Sequence, residues 1–277
     1  MVSTHAWERG VETGWCKWIA KEIAPMIQNE RIQELQRLAE KSWEEVSGRN
    51  FFTGIKEYDE TISNLGEFPH LFVLGCVMDR QMRADRVWKI PYEFAIEFLN
   101  KEFSFQKFEE YCCSSSAAQE IENFLRTRHR FPNKMAGCFI NAVHRIRDQY
   151  SGHASNIWNN KPASAELVVR FLEFEGIGQK IANMAAMILV RDFGVCLQEY
   201  HFIDIPIDIH VKRTITRSGF ALRDDSNEMM IARIRAINPD FPGKLDSLFF
   251  FTGRDYCNER NPKCESCNLS KICQWKM

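Results

Sequence analysis

The chain has 277 residues, 45% of them apolar, which is enough for one large domain or two interlocked ones and too apolar for a disordered chain. Its 36 basic and 37 acidic side chains nearly cancel, so bulk charge gives no support for a polyanionic partner. No run approaches the roughly eighteen apolar residues of a membrane span, and the opening MVSTHAWERG, polar and carrying both charge signs, does not read as a secretion signal.

In chain order, residues 14–48 place Trp18, Ile19, Ile23, Ile27, Ile32, Leu35 and Leu38 at helical spacing. Pro69 opens PHLFVLGCVMDRQ, too continuously apolar for a surface helix and therefore expected to be buried. Pro91 starts a further helix, YEFAIEFLNKEF. From Arg126 to Arg147 six basic residues (Arg126, Arg128, Arg130, Lys134, Arg145, Arg147) occur without an acid, whereas residues 1–70 carry eight basic and twelve acidic side chains. That basic stretch reads either as a phosphate-gripping face or as an ordinary solvated one. Residues 133–149 form a helix with its basic residues towards the C-terminal end, where the macrodipole favours them. Ser164 is expected to N-cap AELVVRFLEF, with Glu166 in the first turn. Only HFIDIPIDIHV alternates like a strand, and Pro206 interrupts it. The expected class is all-α.

Between helices at 165–173 and 179–191 lies Glu175-Gly176-Ile177-Gly178, a tight turn in FEGIGQKIAN. Glycines there can take positive φ and admit a close backbone, leaving the N–H groups of the second helix pointing outward as an anion site. The same pattern also makes a plain helix–helix corner. Lys180 sits on the first turn of that helix, where the macrodipole disfavours a cation. Its amine is therefore either a nucleophile able to form a Schiff base or a simple phosphate contact.

Asp208 precedes a helix expected to run through Arg217 and end near Gly219. It reads first as an N-cap, and an ionised carboxylate held there can also stabilise a sugar that becomes oxocarbenium-like as a base departs. Asp204 matches in composition but stands before no helix.

Ten cysteines are present, six of them scattered (Cys16, Cys76, Cys112, Cys113, Cys138, Cys196), which suits a reducing cytoplasm. The other four, Cys257, Cys264, Cys267 and Cys273, form C-x6-C-x2-C-x5-C. Zinc sites usually pair two close knuckles, and this loop has one, so a single iron–sulfur cube suits the spacing better than zinc.

Together these motifs resemble the endonuclease III branch of the helix-hairpin-helix DNA glycosylases. The family's L-P-G-(V/I)-G-x-K-(T/V)-A is matched by F-E-G-I-G-Q-K-I-A, and its V-D-T-H-x-x-R by I-D-I-H-V-K-R. The cysteine spacing and its distance from the aspartate also agree, and a proline, an apolar helix and a glutamine recur in PHLFVLGCVMDRQ. The likeness runs from about residue 62 to 275 and leaves the first sixty residues unaccounted for. It departs where Glu175 replaces the hairpin proline, and where the segment before Asp208 is lengthened and carries Cys196, Tyr200, His201 and Phe202 as candidate base-pocket residues.

The resemblance implies two all-helical domains with a DNA cleft between them: residues 62–194 as a six-helix barrel bearing the hairpin, residues 195–277 carrying the aspartate helix and a [4Fe-4S] cluster, and residues 1–61 packing with the cluster domain. By that match Lys180 is the Schiff-base nucleophile and Asp208 the essential carboxylate. Gly176, Gly178, Gln81, Lys263 and Arg260 contact DNA, Gln81 by filling the gap left by a flipped nucleotide, and the four cysteines hold a structural cluster. The implied activity is excision of a damaged, mismatched or modified base from double-stranded DNA, with strand nicking by β-elimination. The alternatives are a monofunctional glycosylase for an unusual base, including a modified base of foreign DNA, or a non-catalytic iron–sulfur DNA-binding protein. A cytoplasmic, nucleoid-associated monomer is expected.

Overall fold

Helical periodicity governs nearly every segment: this computed structural model, which describes residues 29–49 and 52–275, is all-α, with no strand among the described residues. In order, the helices are α1 (Asn29–Val46), α2 (Lys56–Ile62), α3 (Pro69–Met78), α4 (Ala84–Val87), α5 (Ile90–Phe98), α6 (Phe105–Cys112), α7 (Ala117–Leu125), α8 (Pro132–Tyr150), α9 (Ser164–Leu172), α10 (Gln179–Phe193), α11 (Ile209–Ser218), α12 (Asn227–Ile237) and α13 (Asp246–Asp255). The helical positions expected at Trp18, Ile19, Ile23 and Ile27 lie outside the described residues.

The chain divides into two compact units. One runs from 46 to 206 and includes 240–243; the other is assembled from residues 29–45, 207–239 and 244–275. The expected breaks at 61/62 and 194/195 are therefore displaced, for identifiable reasons. Residues 46–61 join the first unit rather than the cysteine-rich one, because Tyr58 stacks on Tyr92 at 4.1 Å, Phe52 stacks on Trp88 at 4.5 Å, and Tyr92 Oη donates to Glu57 at 2.6 Å. Residues 195–206 stay with the first unit because Asp204 N–H donates to Asn183 Oδ1 on α10 at 2.6 Å.

In the first unit α8 packs on α3, α6 and α7. Every residue of α3 is buried, as its continuous apolar run requires, and Phe72, Phe94, Phe108 and Phe139 fill the surrounding core. Each such ring contributes about 1.5–3 kcal/mol by leaving water. α5 begins beside Pro91 as expected but stops at Phe98, since Asn100 and Lys101 turn the chain with φ of 52° and 65°.

In the second unit α11 lies against α13 at unusually short range. A Cβ on Gly253 would meet the His210 carbonyl oxygen and Thr214 Oγ1 at 2.6 Å, so only glycine permits this approach. α1 is tied in by Arg31, whose guanidinium donates to the Ser218 carbonyl at 2.9 Å and to the Ile272 carbonyl at 2.8 Å. The alternating segment HFIDIPIDIHV is not a strand: residues 203–208 are extended coil and the helix begins at Ile209.

Candidate active site

The hairpin is built on α8. Gly176 adopts φ of 97°, a conformation that penalises any side chain, and a Cβ there would sit 3.2 Å from Cys138 Sγ. Gly178 differs from expectation: its φ of −106° is open to any residue, and nothing lies within 4 Å of where its Cβ would be. It stands at the N-cap of α10 with no side-chain cap. The N–H groups of Gly178, Gln179, Lys180 and Ile181 accordingly find no acceptor among the described residues. Such a helix end carries a partial positive charge and favours an anion.

Lys180 is exposed on that first turn and makes no ion pair or hydrogen bond among the described residues. Glu175, the departure from the family's proline, is turned aside by Asn141, whose Nδ2 donates to Glu175 Oε2 at 2.6 Å. One turn beyond Lys180, Asn183 is buried and donates to the Gln179 carbonyl, which stiffens the start of α10.

Gln81 lies in the loop after α3 and takes a left-handed φ of 53° while exposed. A non-glycine residue in that region costs of order 1–3 kcal/mol, and such outliers cluster at functional sites. The loop is held from behind: His129 Nε2 donates to the Met78 carbonyl at 3.1 Å, and Arg130 N–H points at Met82 Sδ.

The basic stretch 126–147 resolves into two groups. Arg126 pairs with Glu122, Arg128 with Glu93 and Glu97, Arg145 with Glu173, and Arg147 with Asp148. These four are neutralised at home. Arg130 and Lys134 form no ion pair among the described residues, and neither does Arg80, beside Gln81. Arg80 and Lys134 both lie close enough to Cys138 to oppose the rise that burial imposes on its thiol. The cations left over thus gather around the hairpin and the Gln81 loop. Arg80 was missed in the sequence, where nothing marks it except its neighbour.

Asp208 is the N-cap of α11 as expected: Oδ1 accepts from the N–H groups of His210 and Val211, both at 2.8 Å, and Gly219 ends the helix with φ of 81°. Oδ2 has no hydrogen bond among the described residues. Asp204 is buried and lies in the coil that precedes α11, opening no helix. Ser164 is not the N-cap of α9. It is the first helical residue, and Glu199 caps the helix from 35 positions away, accepting from Ser164 N–H at 2.8 Å.

All four loop cysteines are free thiols of intermediate exposure. Burial pushes the Cys267 and Cys273 thiols up, and charge on Cys257 and Cys264 adds to the rise in both. The four groups therefore lie within electrostatic reach of one another and resist ionising together without a compensating positive centre. Arg31 lies beside Cys273, with Nη1 buried and without an acceptor among the described residues, and Arg217 Nη1 is 3.7 Å from Cys257 Sγ. Among the described residues no three His, Cys, Asp or Glu side chains close on a single-ion site. Arg260 and Lys263 are exposed on the same loop.

No family model matches the chain. It is 27% identical over 136 residues to endonuclease III of Buchnera aphidicola subsp. Schizaphis graminum, an alignment spanning 49% of this chain and 56% of that protein. The chain thus matches little more than half the length of that curated relative. Among solved structures it is similar to a thermostable thymine-DNA glycosylase (TM-score 0.59, 17% identity, 89% of this chain and 97% of that one). It is also similar to endonuclease III in a trapped covalent intermediate with DNA (TM-score 0.54, 21% identity, 78% and 92%). Among the described residues no helix is long and apolar enough to cross a membrane. The chain is thus similar in sequence to endonuclease III over about half its length, and over most of its length it has the fold of endonuclease III and of the thymine-DNA glycosylase.

Proposed function

We propose that the protein is a DNA N-glycosylase that excises a damaged, mismatched or modified base from double-stranded DNA and then nicks the strand by β-elimination. The observation that carries this reading is an amine without an ionic partner, Lys180, on the uncapped first turn of α10 directly after the Gly176 turn. A phosphate at those N–H groups brings a backbone sugar to the lysine. The target nucleotide leaves the stack first, at a cost of a few kcal/mol. The deprotonated Lys180 Nζ bonds to C1′ as the glycosidic bond breaks. The electron pair departs with the base, which takes up a proton. The ammonium formed on the lysine releases its proton to water, the sugar ring opens to an imine, and loss of the C2′ proton expels the 3′-phosphate. Asp208, through Oδ2, stabilises positive charge developing on the sugar.

Gly176, Gly178 and the unpaired Arg80, Arg130 and Lys134 grip phosphates, Gln81 fills the vacated stack, and Arg260 and Lys263 add contacts from the cysteine loop. Cys257, Cys264, Cys267 and Cys273 would hold a [4Fe-4S] cluster in preference to zinc, since their C-x6-C-x2-C-x5-C spacing supplies one close pair where zinc sites usually have two. Such a cluster supplies positive charge to four thiolates and stiffens the loop; this reading gives it no redox step. The protein works on DNA in the cytoplasm, as a monomer.

Duplexes bearing a panel of damaged, mismatched and modified bases, with and without alkali, test the activity. Excision with a nick before alkali is expected. Borohydride should trap a protein–DNA adduct, and an adduct that persists in Lys180→Ala refutes the nucleophile. Abasic DNA left uncut until alkali is added would instead make the enzyme monofunctional.

A further inference from the structure

Arg31 spends only part of its guanidinium on anchoring α1. Nε and Nη2 both donate to the Ile272 carbonyl, at 3.2 and 2.8 Å, and Nη2 also donates to the Ser218 carbonyl at 2.9 Å. The group lies over the Phe220 ring, 4.9 Å from its centroid, which locks its orientation. Nη1 is left over. It is buried and finds no acceptor among the described residues. A buried donor without a partner is costly, and more so when it carries charge. Anchoring α1 does not call for that cost, since the other two nitrogens already make those bonds.

What stands beside Nη1 is a cysteine. Ile272 immediately precedes Cys273, and the Cys273 sulfur is within electrostatic reach of Arg31. As a free thiol, Cys273 donates its proton to the Arg217 carbonyl at 3.7 Å. A metal-bound sulfur has no proton to donate, so on loading that bond lapses and the sulfur becomes an acceptor. The Arg217 side chain is engaged elsewhere. Its Nη1 donates to the Asn258 carbonyl at 2.7 Å and stands 3.7 Å from Cys257 Sγ, while Nη2 donates to the Glu259 carbonyl at 2.8 Å. Four thiolates outweigh the positive charge of a cube they hold, so the loaded site stays anionic. The spare N–H of Arg31 is a cationic donor already buried next to it.

We infer that Arg31 Nη1 donates to the cluster at Cys273, so that α1 supplies a positioning residue for the proposed [4Fe-4S] centre. The inference rests on the iron–sulfur reading of the cysteine loop. Outer contacts of this kind orient the ligands and tune the centre. Hydrogen bonds to the sulfurs, together with net charge, set its potential.

The test uses the full-length protein, purified without oxygen, as wild type, Arg31→Met, Arg31→Lys and, for control, Arg37→Met, which removes an exposed cation from the same helix. Iron and acid-labile sulfide are counted, and the midpoint potential of the centre is read by dye-mediated titration. Reduction adds negative charge, which the Arg31 donor stabilises, so losing the donor favours the oxidised form. Arg31→Met should move that equilibrium by a factor of about ten, or about 59 mV downward for one electron. In Arg31→Lys the single nitrogen is claimed by the two carbonyls, so the charge stays and the donor is lost. Its shift should be smaller and in the same direction. Arg37→Met should keep the wild-type potential. A loaded Arg31→Met at the wild-type potential, or one no lower than Arg37→Met, overturns the inference, because a mere anchor of α1 leaves the potential alone. Should the methionine variant lose its iron, the lysine variant decides, and a wild-type potential there overturns the inference equally. A wild type that holds zinc or no metal overturns the iron–sulfur reading itself and leaves the glycosylase reading standing.

Discussion

Asp208 carries two duties that a pair of substitutions separates. As a cap, Oδ1 accepts from two backbone N–H groups at 2.8 Å. Asp208→Ala leaves both donors without a partner in the first turn of α11, at a cost of about 1 kcal/mol within a range of 0.5–2. In a chain of this size that lowers Tm by about 2–4 °C. Asp208→Asn keeps an oxygen in the same place and loses only the charge–dipole part, about 0.3–1 kcal/mol. For catalysis the order changes. Asn cannot neutralise positive charge on the sugar, so both variants should lose excision rate by a factor of about 10²–10³. Far-UV circular dichroism during thermal melting and single-turnover excision, run on the same preparations, read the two effects. The expected pattern is Ala unstable and slow, Asn nearly as stable as wild type and equally slow. An Asn variant that excises at the wild-type rate refutes the electrostatic role, and an Ala variant with unchanged Tm refutes the cap.

Gly253→Ala forces a methyl group against the His210 carbonyl and should cost about 1–3 kcal/mol in urea denaturation. Gly178→Ala meets open space and should change stability by less than about 0.5 kcal/mol, yet weaken duplex binding by crowding the phosphate site; equal affinity would argue that no backbone approaches there. His70 is buried with Nε2 lacking an acceptor among the described residues, and burial holds it down to about 3. The unfolded chain takes up a proton on this residue below about pH 6.5, whereas the folded chain does not until about 3. Stability from this residue is thus full above pH 6.5 and falls by about 1.4 kcal/mol per pH unit on acidification. His70→Asn should flatten that slope in denaturation between pH 7 and 5. Arg31→Met removes the ties from α1 to the Ser218 and Ile272 carbonyls and should speed release of iron from the cysteine loop to a chelator; an unchanged release rate would show that α1 does not restrain the loop.

The features legible in sequence were those whose causes are local. Asp208 needed only its own helix to be a cap, and the buried α3 was evident from the apolar run that follows His70. What escaped depended on residues far away. Ser164 looked like an N-cap, but its partner Glu199 arrives from a distant loop and displaces it. The basic run 126–147 read equally as a phosphate-gripping or a solvated face, because Glu93, Glu97 and Glu173 reach it from elsewhere in the chain and, with Glu122 and Asp148, leave only Arg130 and Lys134 without an ion pair among the described residues. Residues 46–61 were misassigned because ring stacking on Tyr92 and Trp88 leaves no periodic signature.

The route of the chain through its two units has a consequence for biogenesis. The unit of 46–206 is contiguous apart from a four-residue return, whereas the other is interrupted by all of it. During synthesis α1 emerges early, but the carbonyls that anchor Arg31 belong to residues 218 and 272 and are translated much later. Domains fold as units while the ribosome elongates, so the contiguous part matures first and α1 waits. The second of its closing partners, Ile272, arrives together with the four thiols, so filling of the proposed cluster site would be a late event, coupled to the last stage of assembly.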